Sequence, residues 1–390
     1  QWRLRSVVLT TLIVLLVTLI HKNYQAHELE TNNLDSNTKR TFMKNGNNRN
    51  NRSVFATPET LEAGNISSQS PTLIPPAPSP SPSLPVISFR ETIPFPTEPP
   101  KKRPAKTISF YALGDIPYKE KECEKLQDQL IAINNTWQNE LDKNYTHDDD
   151  AAPPAFIVHL GDIMKHKVAN CTETYYARVQ EILLTHAPLP VLMLPGDNDW
   201  FDCNDRDVGL DVWRTYFDGF EDRWEPKRRR REDEHDRRWR VSRQEERREN
   251  FAFLYSNVLF VGINLVNGMN AYDELSVFVM KQNWEWTKAN LGLYGSEVEA
   301  MVILSHSMRR SSLDDYFKPL FELIEQSYSD LPIMYLHGDG HTFGIQNVTD
   351  NFIDVEVDRG GKGPPIKVTI PNDNVGAFSK FQIDRRMKNG

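Results

Sequence analysis

Acidic and imidazole side chains follow five apolar segments of the chain, at the point where each segment ends. The strings after these segments are GDIPY, GDIMKH, GDNDW, SHS and GDGHTF. Because ligands bind at the carboxyl ends of the strands in an open α/β sheet, these side chains are expected to converge at one edge. Carboxylates brought so close repel one another unless a cation lies between them. The pattern therefore predicts a metal site.

The donor types narrow the choice of metal. Asp, Asn and His together offer oxygen and nitrogen ligands, and this mixture suits Mn²⁺, Fe or Zn²⁺ better than Ca²⁺, which prefers oxygen alone. Other catalytic signatures are missing from the sequence, which contains no Gly-x-Ser-x-Gly elbow, no Walker loop and no Gly-x-Gly-x-x-Gly string. Only three cysteines occur, without a Cys-x-x-Cys pair, and this excludes a cysteine zinc cluster.

The elements that would position these side chains are short apolar runs separated by helical stretches. Six runs are predicted as strands: 108–113, 155–160, 190–195, 258–266, 301–306 and 333–338. Five helical stretches lie between them: 120–140, 172–186, 208–217, 273–290 and 313–327. Such strands, nearly continuously apolar and covered by helices, indicate an α/β fold with a sheet buried on both faces. Three later segments of alternating polarity, at 351–358, 366–370 and 378–384, predict a closing antiparallel hairpin or meander.

Two longer strings carry more information than the strand ends alone: GDIPY at 114–118 and PGDNDWFDC at 195–203. With the order of the other acidic and histidine-bearing strings, they make 107–343 resemble the calcineurin-like metallophosphoesterase superfamily, and within it a subgroup that carries both strings. The resemblance implies an α/β sandwich with central mixed β-sheets flanked by helices. It also implies hydrolysis of a phosphate ester by a water molecule that one or two divalent metal ions activate.

Carried over position by position, the resemblance implies a set of metal ligands on this chain. Asp115 would bind the first metal, and Asp162 would bridge two metals. The second metal would be bound by Asp162, Asp197, His306 and His341. The implied catalytic set is Asp115, Asp162, Asn198 and His337.

Several positions of the family pattern are occupied by other residues. Pro117 and Phe343 stand where the family has imidazole ligands of the first metal. Asn198 stands where it has a histidine that contacts phosphate, and Lys165-His166 replaces an Asp-Arg pair. These replacements motivate a second hypothesis, a catalytically impaired pseudo-phosphatase that binds a phosphorylated ligand or a partner without turnover.

Neighbouring residues offer substitutes for the missing groups. His337 and Asp339 lie in the last histidine-bearing string, and either is a candidate replacement ligand or acid. Lys165 is either a contact for a phosphate oxygen or a surface lysine. His159 precedes the second acidic loop, where strand alternation turns it away from the neighbouring Leu160, and it is predicted to be a core or supporting histidine.

The first 105 residues are predicted to lie outside the body that carries the site. An uncharged apolar run at 6–20, preceded by two arginines, predicts a signal anchor within 1–26 whose N-terminal end is cytoplasmic. A stalk rich in Asn, Ser and Pro follows at 27–105, and its composition cannot bury enough apolar surface to fold. The body spans 106–390. The expected location is a single-pass type II membrane protein, or the secretory-pathway lumen or extracellular space.

Sequons and cysteines agree with that location. Six Asn-x-Ser/Thr sequons occur: Asn51, Asn65, Asn134, Asn144, Asn170 and Asn347. Cys171 and Cys203 are expected to emerge at the same edge of neighbouring strands, and in an oxidising compartment they are predicted to pair. Cys123 is then left as a buried thiol or an intermolecular link.

Charge excludes one further function class. The formal net charge of −8 argues against nucleic-acid binding, which favours a positive face. Arginines and acids mix at 223–250, and this insertion is predicted to be an exposed charged helix or an irregular segment; the competing interpretation is a basic docking surface for phosphate-rich ligands or anionic lipid. The acidic triplet at 148–150 resembles the Asp-x-Asp motif of a luminal glycosyltransferase, but it precedes an apolar strand and is interpreted as a solvated loop.

Overall fold

The fold is described from a computed structural model, which covers residues 107–144, 153–165, 171–224, 240–371 and 377–386. The predicted anchor at 1–26 and stalk at 27–105 lie outside these residues, as do the triplet at 148–150 and the sequons at Asn51, Asn65 and Asn170. Within the described ranges, no helix is both long and apolar enough to cross a membrane.

Three parallel strands form the centre of the first sheet: β1 (Ile108–Leu113), β2 (Ile157–His159) and β3 (Val191–Met193). Two C-terminal strands complete it, because β11 (Ile366–Ile370) pairs antiparallel with β1 and β12 (Gln382–Asp384) pairs antiparallel with β11. The strand order is β12-β11-β1-β2-β3. The carboxyl ends of the three parallel strands therefore meet at one edge.

The second sheet has seven strands. In chain order they are β4 (Ser242–Arg243), β5 (Phe251–Tyr255), β6 (Val258–Gly262), β7 (Ala300–Leu304), β8 (Ile333–His337), β9 (Gly344–Thr349) and β10 (Phe352–Glu356). Their spatial order is β4-β5-β6-β7-β8-β10-β9, in which β6, β7, β8 and β10 are parallel neighbours and the outer pairs are antiparallel. Both sheets are thus mixed.

Helices cover the outer face of each sheet. On the first sheet, α1 (Glu120–Asn144), α2 (Glu173–His186) and α3 (Arg206–Phe217) share a buried core with the strands. On the second sheet, α4 (Glu274–Tyr294) and α5 (Asp314–Ser327) do the same, and a short α6 (Ala377–Lys380) precedes β12. The predicted sandwich of two mixed sheets flanked by helices is confirmed.

Successive side chains of β1 point to opposite faces of the sheet and belong to two different hydrophobic cores. Phe110 packs between the sheets, with its ring centroid 5.0 Å from that of Phe156, whereas the next residue, Tyr111, faces the helices. All three side chains are buried. An apolar residue is therefore needed at nearly every position, and this is why the strands read as continuous apolar runs.

The C-terminal segments depart from the single hairpin or meander that their alternation predicts. β10 lies parallel to β8 in the second sheet and forms its hairpin with β9. Only β11 and β12 pair with each other, and they do so in the first sheet. Local alternation indicates a strand but not the sheet that the strand joins, so this expectation was half wrong.

The charged segment, where it is described at 240–250, is mostly irregular, as one of the two alternatives predicted, but it is partly buried instead of exposed. The Glu249 carboxylate is fully buried and accepts bonds from Arg214 at 2.7 Å and from Arg247 at 2.9 Å. Burial acts to raise the pKa of Glu249, but these two guanidinium groups hold it below its usual value. Asn264 donates to the same carboxylate at 2.9 Å. The mixture of arginine and acid therefore encodes an interior ion-pair network here.

Candidate metal centre

The first two acidic loops adopt unusual backbone conformations at their aspartates. Asp115 follows β1 with φ of 57°, and Asp162 follows β2 with φ of 61°. Aspartate tolerates this left-handed region better than most residues with a side chain. A backbone bond from Asp115 N to Gly161 O, 3.0 Å long, joins the loops. Gly196, on the third loop, approaches so closely that a Cβ atom there would collide with Asp162.

Asp199 fastens the third loop to the second. It lies in a single π-helical turn, Asp197–Phe201, that follows β3. Its carboxylate accepts backbone N–H groups from Asp162 at 2.9 Å, Gly196 at 2.8 Å and Ile163 at 2.8 Å. Burial raises the pKa of Asp199 to about 6, although these donors favour the ionised form. The sequence pattern indicated no role for Asp199, whose only signal is that it is a second acid in the GDNDW string.

The predicted disulfide is confirmed between Cys171 and Cys203, whose Cα atoms are 5.9 Å apart. Cys203 lies just after the π-helical turn, and Cys171 precedes α2. The bridge therefore ties the third loop to the chain that follows the second. Cys123 is a buried thiol, in agreement with one of the two alternatives predicted for it.

His306 lies at the centre of the predicted ligand set. Its ring is fully buried, and Nδ1 is 2.8 Å from Leu160 O. A carbonyl oxygen only accepts, so Nδ1 carries a proton and donates it. The other nitrogen, Nε2, is 3.0 Å from Asp197 Oδ1 and 3.4 Å from Asp162 Oδ1. Neither Nε2 nor Asp197 Oδ1 makes a hydrogen bond of acceptable geometry within the described part of the chain.

These atoms fit a divalent cation. Ligand atoms of Asp115, Asp162 and His306 lie within 4.8 Å of one another, and so do those of Asp197, His306 and Asp339. The two groups share His306 and supply oxygen and nitrogen donors of the kind that Mn²⁺, Fe or Zn²⁺ binds. A buried imidazole nitrogen between two carboxylates needs either a second proton or a cation. The nitrogen that lacks a hydrogen-bond partner is thus evidence for a positive charge at this position, and this evidence does not depend on how many acids lie nearby.

The shifted pKa values of His306, Asp162 and Asp115 also indicate that this cluster requires positive charge. Burial acts to lower the pKa of His306, but the carboxylate of Asp162 holds it well above its usual value. The pKa of Asp162 is raised well above its usual value, by burial first and by the charge of Asp197 and other nearby acids. For Asp115, burial acts upward, yet a hydrogen bond with His341 and the charge of His306 lower its pKa. A cation would take the place of protons that the cluster otherwise retains.

The structure places His341 beside Asp115. Its Nε2 is 3.2 Å from Asp115 Oδ1, and the side chain is 38% exposed. The resemblance implied a place for it with Asp197 and His306. Asp339 lies with those two residues instead; its N–H is 3.3 Å from Asp115 Oδ2, and its carboxylate pairs with Arg310 at 3.2 Å.

His337 is not brought to this cluster. Its Nε2 is 2.7 Å from the Asp354 carboxylate on the neighbouring strand β10, and its Nδ1 is 2.8 Å from Gly338 O. Both ring nitrogens are thereby engaged. As the last residue of β8, His337 follows the strand alternation and projects from the same sheet face as Tyr335 and Asp354, so it does not enter the cluster with Asp339.

Asn198 does reach the cluster. Its backbone N–H donates to Asp162 Oδ1 at 3.1 Å, and its side-chain amide donates to Asp162 Oδ2. The amide oxygen is buried without a hydrogen-bond partner within the described residues.

The other replaced positions lie away from the ligand atoms or outside the described residues. Lys165 is exposed, and Phe343 is covered by the Arg385 guanidinium, 3.9 Å from its ring centroid. His166 lies outside the described ranges.

Tyr118 is a second residue, besides Asp199, for which the sequence pattern indicated no role. Its hydroxyl is 2.8 Å from Asp115 Oδ1, 2.7 Å from Asp162 Oδ2 and 3.1 Å from His341 Nε2. The side chain is 8% exposed, and burial together with the two carboxylates raises its pKa. The Arg359 guanidinium lies 4.4 Å from its ring centroid. The available signal was a polar aromatic residue three positions after the first aspartate.

Comparisons with known proteins leave the family open. No family model matches the chain, and no curated protein matches it. Among solved structures, a 5'-nucleotidase from Candida albicans SC5314 is 11% identical over 71% of this chain and 50% of its own, with a TM-score of 0.45. This chain thus spans half of that structure.

Two further structures are similar at the same level. GAP50, the anchor in the inner membrane complex of Plasmodium, is 12% identical over 69% of this chain and 82% of its own, with a TM-score of 0.41. A dimetal phosphatase from Danio rerio is 11% identical over 72% of this chain and 99% of its own, with a TM-score of 0.43. The family therefore stays a resemblance, and the function proposed below rests on the side chains of the cluster.

His159 supports the first loop from the interior, as predicted for a core histidine. Its Nε2 is 2.8 Å from Ile116 O, and Gly161 N donates to Nδ1 at 3.3 Å. The carbonyl fixes a proton on Nε2, so protonation of Nδ1 would place two donors face to face. Burial lowers the pKa of His159 to about 4.

We expect this histidine to make stability fall in mild acid. An unfolded histidine titrates near 6.5, so the contribution of neutral His159 is fully present above about pH 6.5 and is lost as the pH falls toward about 4, a loss of about 3 kcal/mol. Urea unfolding in a chelator across this window should show a shallower pH dependence for His159→Gln. His186→Gln, at the end of α2, is the control and should keep the slope of the unaltered chain. Equal slopes for the unaltered chain and His159→Gln would contradict the assignment.

Proposed function

We propose that this chain hydrolyses phosphate esters at a divalent metal centre. The observation that carries the proposal is the orphaned Nε2 of His306, which points between the carboxylates of Asp162 and Asp197 at 3.4 and 3.0 Å. The proposed ligands come from loops that follow strands of both sheets: Asp115, Asp162 and Asp197 after β1, β2 and β3 of the first, and His306 with His341 or Asp339 after β7 and β8 of the second. A bound divalent cation supplies hydroxide near neutral pH by lowering the pKa of a coordinated water, and it offsets charge on the phosphoryl oxygens.

The chain's own residues hold and orient that centre. The bond from His306 Nδ1 to Leu160 O fixes the tautomer whose Nε2 is available as a ligand. Asp199 fixes the loop that carries Asp162 through three backbone bonds. The Asn198 amide, which donates to Asp162, is assigned to binding an oxygen of the phosphate group. Arg310, 41% exposed and paired with Asp339, would be a positively charged contact for that anion.

A specific observation also favours the pseudo-phosphatase alternative. The proposed substitute acid His337 uses both ring nitrogens on Gly338 O and Asp354, so it does not supply a proton to a leaving group from this position. In that alternative, the same cluster binds metal and a phosphorylated ligand without turnover. Metal content, phosphate binding and turnover of aryl phosphate mono- and diesters, measured on one preparation, separate the two hypotheses: only the enzyme combines all three.

Replacing Asp162 by Asn should abolish turnover, because a proposed metal ligand that lies beside Asp115 and His306 loses its charge. We expect a loss of about hundredfold or more, since metal stabilisation of developing charge contributes several kcal/mol. The assay uses an aryl phosphate with Mn²⁺, Fe or Zn²⁺ added to the chelator-treated chain. Asp350→Asn, an exposed acid in the turn between β9 and β10, is the matched control and should retain activity. Unchanged turnover in Asp162→Asn would overturn the assignment.

We also propose the secretory pathway as the location, with the anchor at 1–26 making the chain a type II membrane protein. The disulfide between Cys171 and Cys203 supports an oxidising compartment. Of the predicted sequons, Asn347 lies exposed on the edge strand β9, where an oligosaccharide meets no buried surface.

Glycosylation at Asn347 tests that location. In a eukaryotic host, glycosidase treatment should lower the apparent mass of the secreted or membrane-bound chain, and Asn347→Gln or Thr349→Ala should remove part of that change. Thr349→Ser preserves the sequon and the hydroxyl that donates to Asn351 at 2.9 Å, so it should keep the glycan. A chain that emerges without sugar at Asn347 in every variant would count against luminal exposure of this face.

A further inference from the structure

The hydroxyl of Tyr118 lies among residues that the metal centre requires. Within hydrogen-bond distance it has Asp115 Oδ1 at 2.8 Å, Asp162 Oδ2 at 2.7 Å and His341 Nε2 at 3.1 Å. A phenol oxygen has one proton to donate, so it satisfies only one of the two carboxylates. The contact with the other carboxylate then needs a second proton or a cation, although each carboxylate has a further partner, His341 for Asp115 and the Asn198 amide for Asp162. A single phenol proton therefore leaves one of these two short contacts unpaired.

The spacing of these atoms matches that of ligands around one cation. In an octahedral centre with bonds of about 2.1 Å, adjacent ligand atoms lie about 3.0 Å apart. The distances from the Tyr118 hydroxyl range from 2.7 to 3.1 Å, and Asp115 Oδ1 is 3.2 Å from His341 Nε2. Tyr118, Asp115 and His341 thus outline one triangular face of a coordination shell.

We propose that the Tyr118 oxygen is itself a metal ligand, together with Asp115, Asp162 and His341. Coordination joins the phenol oxygen to the cation and releases the phenol proton to solvent, one proton per chain. Tyr118 then contributes the donor that Pro117, its neighbour in the chain, lacks. This inference rests on the metal centre of the proposed function and adds a ligand to it.

The surroundings of Tyr118 hold its ring in place for that role. Its backbone N–H donates to Glu122 Oε2 at 2.8 Å, and Glu122 pairs with Arg359 at 2.8 Å. The Arg359 guanidinium covers the ring face, 4.4 Å from the centroid. The ring is therefore fixed by contacts from α1 and from the segment before β11, both outside the ligand cluster. A preorganised oxygen costs less to coordinate than one that must be ordered first.

Metal titration of the chelator-treated full chain tests the proposal without using turnover. Zn²⁺ is added to the unaltered chain, to Tyr118→Phe and to the control Tyr111→Phe. Tyr111 is buried in β1, and its hydroxyl has no hydrogen-bond partner within the described residues, so its removal isolates the effect of losing any buried hydroxyl. Affinity and stoichiometry are read by competition with a chromophoric chelator, and phenolate formation by the ultraviolet difference spectrum of tyrosinate.

We expect one tyrosinate per chain on metal binding in the unaltered chain and in Tyr111→Phe. Tyr118→Phe should give no tyrosinate signal, and it should lose one metal per chain or bind it at least about tenfold more weakly. Equal or tighter binding by Tyr118→Phe would instead mean that the hydroxyl occupies the space of a cation, and it would overturn the proposal.

Two outcomes in the unaltered chain complete the test. Absence of a tyrosinate signal at saturating Zn²⁺ contradicts the Tyr118 assignment whether or not the Phe variant folds, and it leaves the metal centre intact. Failure of the unaltered chain to bind any of Zn²⁺, Mn²⁺ or Fe rejects the metal centre of the proposed function and, with it, this ligand.

Discussion

Buried negative charge around one buried imidazole is the constraint on which the rest of the site depends. Asp115 and His306 are fully buried, Asp162 is 3% exposed and Asp197 is 9% exposed. Carboxylates withdrawn from water at this spacing are costly unless a positive charge neutralises them. The fold brings them together at the carboxyl ends of parallel strands, and only a proton or a cation makes that arrangement tolerable. The Nε2 of His306, 3.0 Å from Asp197 and 3.4 Å from Asp162, lies where such a cation would bind.

The loops are built to hold this charge in place. The glycine at position 196 admits Asp162 at a distance that no other residue allows, and Asp199 accepts three backbone donors that would otherwise be buried without partners. The disulfide between Cys171 and Cys203 also holds the third loop. The interior ion pairs of Glu249 support the same loop through Asn264, because Trp200 of the π-helical turn donates to Asn264 at 3.2 Å and Asn264 donates to Glu249. The charged segment thus contributes to the structure behind the site.

The sequence correctly predicted the features that depend on the local pattern of apolar and polar residues. Strands buried on both faces require apolar residues at nearly every position, so β1, β7 and β8 were visible as runs, and the acids that follow strands were expected to converge. The pairing of Cys171 with Cys203 followed from the same edge geometry. What the sequence left open depends on distant contacts. His337 turns to Asp354 across a strand pair, Tyr118 reaches two loops, and Glu249 finds its arginines only in the folded chain. Side-chain direction at a loop edge is set by such partners, and no periodicity encodes it.

The central claim is that a cation lies between His306, Asp162 and Asp197, and anomalous diffraction from crystals of the chain grown with Zn²⁺ tests it most directly. The account predicts an anomalous peak at a bonding distance of about 2.0–2.2 Å from His306 Nε2 and a carboxylate oxygen. A well-ordered cluster without a peak, in which His306 Nε2 donates a proton to Asp197, would contradict it.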